Sequence, residues 1–203
     1  MTEFPGLQLE QALWKKGFQT IGGIDEAGRG AWAGPVIAGA VILPNTENIK
    51  NNLAGVRDSK QMTQKQREYW ASEIKINALS WAVGAVSAEE IDTIGILPAN
   101  RLAMQRAIEG LGQIPDYHLF DFIHWKNCPY LGDRLVKGES QSLSIAAASV
   151  LAKTERDALM RQLDQYYHGY GFGRHKGYGT AFHRSAIHEL GLCVIHRKSF
   201  NIH

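Results

Sequence analysis

Two apolar, β-branched runs, 20–24 and 36–43, predict strands on either side of a glycine-rich connection that contains Gly28, Gly30 and Gly34. Ahead of them, Leu9, Ala12, Leu13 and Trp14 recur at helical spacing and predict a short amphipathic helix of structural role. After the second strand, 45–52 is polar and turn-like, and Thr63 with Gln66 forms a capping-box pattern that opens a helix running to about Asn77. A third strand is predicted over 79–86, followed by a second capping-box pattern, Ser87 with Glu90, and a short helix. Pro98 opens a longer helix, 99–111, with Leu102, Ala103, Ala107 and Leu111 on its core face. A short buried strand, 117–120, then ends on Asp121, and a loop over 126–133 leads to a brief strand at 134–136. Ser142 begins a long helix in which Ala146, Ala147, Ala148 and Ser149 allow close packing on a sheet; Arg156 and Asp157 are expected to be a solvated pair on its surface.

Strands with hairpin spacing early and helix-separated strands later predict an α/β fold: a mixed five-stranded sheet, antiparallel at one end and parallel at the other, flanked by helices. There is no internal repeat or linker, so the expected organisation is one core domain, 1–167, with a basic helical extension, 168–203, packed on it. At 203 residues and 44% hydrophobic, the chain needs no disulfide or structural zinc to fold. Cys128 and Cys193 stand alone, which fits a reducing compartment. The N-terminus lacks the apolar run of a signal peptide and no segment has the length of a membrane span, so a cytoplasmic protein without membrane contact is expected. No coiled-coil or interface stripe is present, and a monomer is expected. Charge is uneven: segment 168–203 has five basic residues against the single acid Glu189, so it carries +4 and the remainder −2 of a net +2. Six of the eight histidines lie there too, interleaved with aromatics such as Tyr170, Phe172 and Tyr178, so the segment is either a solvated basic face or a surface turned towards phosphates.

Chemistry enters with the acids. Asp25 and Glu26 are placed where the first strand ends, Asp121 at the end of another strand, and Glu139 just ahead of the long helix. Neighbouring residues on a regular strand point to opposite faces, so Asp25 and Glu26 converge only if the strand ends or bulges there, or if one also offers its backbone carbonyl. Four carboxylates converging on one place repel one another unless a cation neutralises them, and an all-oxygen set selects hard ions such as Mg²⁺ or Mn²⁺. Asp116 lies at the wrong end of its strand. Lys60, just before a helix, is either an ordinary loop lysine or a phosphate contact. The Gly28-Arg29-Gly30 turn is not a dinucleotide loop, because 36–43 continues as a strand where that motif needs a helix, and no phosphate-cradling GxxxxGK[ST] or nucleophile-elbow pattern is found.

The run Gly23-Ile24-Asp25-Glu26-Ala27-Gly28-Arg29-Gly30 with Ala33-Gly34-Pro35 resembles the signature of ribonuclease HII, the type 2 RNase H family. The same order and spacing continue in Asp58-Ser59-Lys60, Lys137-Gly138, Ile145-Ala146-Ala147-Ala148-Ser149, Ala152-Lys153, Arg156-Asp157, His175-Lys176-Gly177-Tyr178-Gly179-Thr180 and His196-Arg197-Lys198-Ser199-Phe200. The resemblance implies an RNase H-like fold and a metal-dependent endonuclease that cuts the RNA strand of RNA–DNA hybrids. It also implies nicking 5′ of single ribonucleotides in duplex DNA, by two-metal hydrolysis leaving 3′-hydroxyl and 5′-phosphate ends. It makes Asp25, Glu26 and Asp121 ligands of Mg²⁺ or Mn²⁺, with Glu139 in the place of a fourth. It has Gly28, Arg29, Gly30 and the Tyr178 hydroxyl read the ribose 2′-OH; the substrate-binding reading of Lys60 comes instead from its place beside a helix N-terminus. Two positions depart from the pattern: Glu139 stands where an aspartate is usual, and Phe122 where a glycine follows the third aspartate. A binding protein of weak catalysis, or a relative acting on DNA junctions, are the competing readings.

Overall fold

The computed structural model describes residues 4–202. Helix α1 (Gln8–Lys15) precedes β1 (Ile21–Ala27), which forms an antiparallel pair with β2 (Val36–Ile42). After α2 (Ile49–Asn52) and α3 (Gln64–Asn77), β3 (Ser80–Val86) adds antiparallel to β2. Helices α4 (Ala88–Ile94) and α5 (Ile96–Glu109) lead to β4 (Tyr117–Asp121), parallel to β1, and β5 (Gly132–Leu135) is parallel to β4. The sheet order is β3-β2-β1-β4-β5, the predicted mixed sheet. The long helix α6 (Leu143–Asp164) is followed by α7 (Phe172–His175) and α8 (Ala181–Leu190).

Local chemistry sets most of these boundaries. Thr63 and Gln66 close the capping box of α3, Ser87 and Glu90 that of α4, and Ser142 caps α6 by accepting from Ile145 N. Helix α5 starts at Ile96, a turn before the predicted 99, and β5 starts at Gly132, inside the predicted loop. The sheet has two differently built faces. On one, Ile24, Ala38, Ala40, Ile42 and Phe120 meet Ala99, Ala103, Met104 and Ala107 of α5 in an ordinary apolar core. On the other, α6 comes unusually near the strands: a Cβ on Gly23 would run into the Ser144 backbone, and one on Gly39 into the Ala148 carbonyl. Only glycine in the strands and alanine or serine in the helix permit that approach.

The start of α6 is held by a residue whose role the sequence hid. Glu10 of α1 is buried, and its Oε1 accepts from Ser142 Oγ at 2.6 Å, Ser144 Oγ at 2.7 Å and Ser144 N at 3.1 Å. A carboxylate here also faces the positive end of the helix. The expected solvated pair on α6 is a correction: Arg156 and Asp157 are both buried, Asp157 between Arg67 (3.1 Å) and Lys153 (2.8 Å). A guanidinium on a mostly apolar helix reads as surface in sequence because its acceptors, backbone carbonyls from remote loops, carry no signature.

Replacing Glu10 with alanine strands three donors in a buried site and is expected to cost about 3 kcal/mol. At roughly 2–4 °C per kcal/mol for a chain of this size, the melting temperature falls by about 6–12 °C. Thermal unfolding followed by circular dichroism measures it.

Candidate active site

The pairing of β1 explains how two adjacent acids are presented. Its register with β2 runs without a bulge from Gly22↔Ile42 to Ala27↔Ile37, so Asp25 and Glu26 lie within the strand, near its C-terminal end, and not beyond it. They therefore point to opposite faces: Ser149 of α6 is a polar neighbour of Asp25, and Asn100 of α5 one of Glu26. Parallel pairing with β4 reaches Ile24↔Phe120, which makes Asp25 and Asp121 the next residues on adjacent strands. Asp121 is the element common to both faces, since its charge acts on Asp25, on Glu26 and on Glu139.

Glu139 arrives in a 3₁₀ turn (Gly138–Ser140) just before α6. The turn is tied down by Gly138 N donating to Asp121 Oδ1 at 2.8 Å, after Lys137 takes a left-handed conformation at φ 56°. Lys60, in the turn Ser59–Gln61, sets its ammonium 3.9 Å from Glu139 Oε1, and Arg29 sets its guanidinium 3.8 Å from Glu26 Oε1. The predicted site residues Asp25, Glu26, Asp121, Glu139, Lys60 and Arg29 are thus one cluster. Phe122 is exposed beside it.

The electrostatics of the cluster are those of a site built for positive charge. Burial, then Glu26 and Asp121, raises the Asp25 carboxyl well above its usual range. Burial raises Glu26 despite Asn100 and Arg29, and burial with Asp121 raises Glu139. Partial burial opposes protonation of Lys60, but Asp58, Asp25, Glu139 and Asp121 outweigh it and hold the ammonium above its ordinary value. Glu26 Oε2 and Glu139 Oε2 are buried without a hydrogen-bond partner. Among the described residues no three His, Cys, Asp or Glu side chains already stand in a metal-ready arrangement. Asp25 Oδ1 is engaged by Glu26 N at 2.7 Å and Asp121 Oδ1 by Gly138 N. The donor set is still all-carboxylate, with two idle buried oxygens and surplus negative charge, and it fits a hard divalent cation.

The loop from Gly28 to Pro35 is stitched to the C-terminal segment. Ala33 bridges to His196, and Gly177 O accepts from Trp32 N (2.8 Å) and Ala33 N (3.3 Å), so the turn that carries Tyr178 rests on the loop that follows Gly30. Tyr178 is half-exposed, with Arg156 and Lys153 at 5.5 and 5.6 Å from its ring centroid. It joins the loop and not the carboxylate cluster. The basic segment is divided: Arg174, Arg184 and Lys198 are exposed, whereas His175, His183, His196 and Arg197 are buried. Burial pushes His183 down to about 4, and its Nε2 meets His196 Nε2 at 3.1 Å, so these are neutral packing groups and not a basic face. Arg156 and Arg197 were not legible as site residues: both lie behind the loop, bonded to its carbonyls.

Because the folded-state carboxyls are raised, the stability they contribute is present below the ordinary carboxylate range and is lost as pH rises through their folded values. Without divalent cations, Asp25→Asn is expected to melt higher than the wild type at neutral pH, by roughly 2–4 °C per kcal/mol of repulsion relieved. The gap closes in acid, and added Mn²⁺ raises the wild type more than the variant. Melting curves across pH with and without Mn²⁺ give all three results.

The chain matches the family described as Ribonuclease HII over residues 22–203. It is 47% identical over 197 residues to the ribonuclease HII of Dehalococcoides mccartyi, covering 97% of this chain and 92% of the relative. It is 48% identical over 194 residues to that of Syntrophotalea carbinolica, covering 96% and 91%. In structure it is similar to the ribonuclease H2 from Pyrococcus horikoshii OT3, with TM-score 0.73 and 24% identity over 90% of this chain and 94% of the other. It is also similar to a Bst-RNase HIII in complex with Mn²⁺, with TM-score 0.64 and 20% identity over 85% and 63%. At these identities the two structures speak for the fold alone.

Proposed function

The chain belongs to the ribonuclease HII family, and from that premise we propose that its carboxylate cluster and adjoining loop nick duplex DNA 5′ of an embedded ribonucleotide. Membership makes it a metal-dependent endonuclease acting on RNA–DNA hybrids. The finer reading rests on one observation: four acids, two with idle buried oxygens, lie beside a loop in which, among the described residues, the Arg29 and Gly30 amides have no backbone acceptor.

In this reading Asp25, Glu26, Asp121 and Glu139 hold Mg²⁺ or Mn²⁺, the class of hard ion that an all-carboxylate donor set selects. Bound there, such ions would supply Lewis-acid activation of a water and charge stabilisation for the leaving oxygen in phosphodiester hydrolysis. Glu139, although a methylene longer than the usual aspartate, is raised by burial and by the Asp121 charge and stands 3.9 Å from the Lys60 ammonium, so its length does not remove it from the cluster. Lys60 places a cation where a phosphate oxygen would approach the acids, offsetting the repulsion between substrate and carboxylates. The Gly28-Arg29-Gly30 amides and the Tyr178 hydroxyl face the ribose, where the 2′-OH is the one group that separates RNA from DNA. The products are a 3′-hydroxyl and a 5′-phosphate. The exposed cations Arg174, Arg184 and Lys198 suit contacts to the duplex backbone.

A duplex with one ribonucleotide, incubated with protein and Mg²⁺ or Mn²⁺, is expected to be nicked at the 5′ side of that residue, and an all-DNA duplex is not. Asp25→Asn should lower the rate roughly 10²–10³-fold or further while duplex binding persists. Absence of nicking with either ion, or wild-type rates in the variant, contradicts the proposal.

A further inference from the structure

Arg197 is wholly buried, and all of its side-chain bonds go to one loop. Its Nη2 donates to Gly28 O at 2.7 Å, Nη1 to Arg29 O at 2.9 Å and Nε to Gly34 O at 3.0 Å. Its own backbone is held on both sides, Arg197 N donating to Trp32 O at 2.8 Å and Phe200 N to Arg197 O at 3.0 Å. Among the described residues no carboxylate bonds this guanidinium. A buried cation satisfied only by carbonyls is a costly arrangement unless the carbonyl positions themselves matter.

In a planar trans peptide the carbonyl of one residue and the N–H of the next point in opposite directions. Drawing the Gly28 and Arg29 carbonyls inward therefore turns the N–H groups of Arg29 and Gly30 outward. Among the described residues neither of these amides has a backbone acceptor, whereas Ala31 N returns to Gly28 O and Trp32 N to Gly177 O. The two glycines differ in a way that fits. Gly28 is required from inside, since its φ is +90° and a Cβ would run into the Arg156 side chain. A Cβ on Gly30 would meet nothing in the protein, so glycine there leaves room for something that approaches from outside.

We infer that Arg197 is a positioning residue for ribose recognition: it clamps the Gly28 and Arg29 carbonyls from behind so that two consecutive amide donors face the 2′-oxygen of the substrate. The inference rests on the proposed reading of the Gly28-Arg29-Gly30 loop. Lysine at 197 keeps the charge but cannot span three carbonyls in a fixed fork.

The test compares wild type with Arg197→Lys on a duplex bearing one ribonucleotide, with Mn²⁺, at a temperature where both are folded. The expected result is a loss in kcat/KM of about a hundredfold, the scale of a 1 Å misplacement, with binding to an all-DNA duplex unchanged. A merely structural anchor would lower the melting temperature and leave kcat/KM per folded molecule as in the wild type, which overturns the inference. If the wild type itself does not nick, the underlying reading of the loop fails instead. Amide hydrogen exchange on the wild type decides the matter even where the variant does not fold. The Arg29 and Gly30 amides should exchange fast in the free protein and become protected by the ribonucleotide-bearing duplex but not by the all-DNA one. Protection already present in the free protein, or equal protection by both duplexes, overturns the inference.

Discussion

Mutual repulsion among Asp25, Glu26, Asp121 and Glu139 is the constraint around which the rest of this protein is arranged. Each of these acids would be unremarkable alone at the end of a strand. Brought together and partly dehydrated, they raise the proton affinity of Asp25, Glu26 and Glu139 and leave two carboxylate oxygens buried without partners. Folding tolerates this because the surrounding scaffold is stiff: β1 is paired on both sides, α6 is pressed against it through Gly23 and Gly39, and Glu10 pins the start of that helix. The stability that these contacts supply offsets the strain in the cluster, and a bound cation relieves it. Function and instability therefore share the same atoms.

A second constraint is laid over the first. Between residues 28 and 35, the carbonyls of Gly28, Arg29, Trp32, Ala33, Gly34 and Pro35 are all occupied by Arg156 or Arg197. A loop that follows directly on two repelling acids is thereby held from behind, and among the described residues its Arg29 and Gly30 amides are left without a backbone acceptor. Because Arg197 comes from the C-terminal segment and Arg156 from α6, the shape of this loop depends on the docking of the C-terminal segment as well as on α6. Tyr178 depends on the same docking through Gly177. The segment after α6 is in this sense part of the site and not an accessory to it.

Much of this was readable in the residues. The alternation of apolar runs located all five strands, and the Thr63 and Ser87 capping boxes marked helix starts because side-chain caps are local and leave a spaced signature. The acids were conspicuous as a set and not singly: a carboxylate at a strand end is common, but Asp25, Glu26, Asp121 and Glu139 all fall near strand or helix ends that could meet. Arg156, Asp157 and Arg197 were not legible as buried, since a charged residue on a helix or in a basic tail is ordinarily solvated, and most of the partners that bury these three, loop carbonyls for the arginines and Arg67 for Asp157, are remote in sequence. The histidines at 175, 183 and 196 read as part of either a solvated basic face or a phosphate-facing surface, and instead stack in the core of the C-terminal segment, where neutral imidazoles bond to backbone and to each other. Glu10 was hidden on a helix that looked merely amphipathic. In each case the missing information was tertiary: which backbone groups come within reach.

The central claim, that these acids are held apart from their preferred ionisation until a cation arrives, has a direct measure in protons. Mn²⁺ titrated calorimetrically into the protein just above the ordinary carboxylate range, in buffers of different ionisation enthalpy, reports the protons displaced on binding. The account predicts net proton release that fades as pH rises and is reduced in Asp25→Asn. Cation binding with no proton release at any pH, or with the same release in the variant, would contradict it.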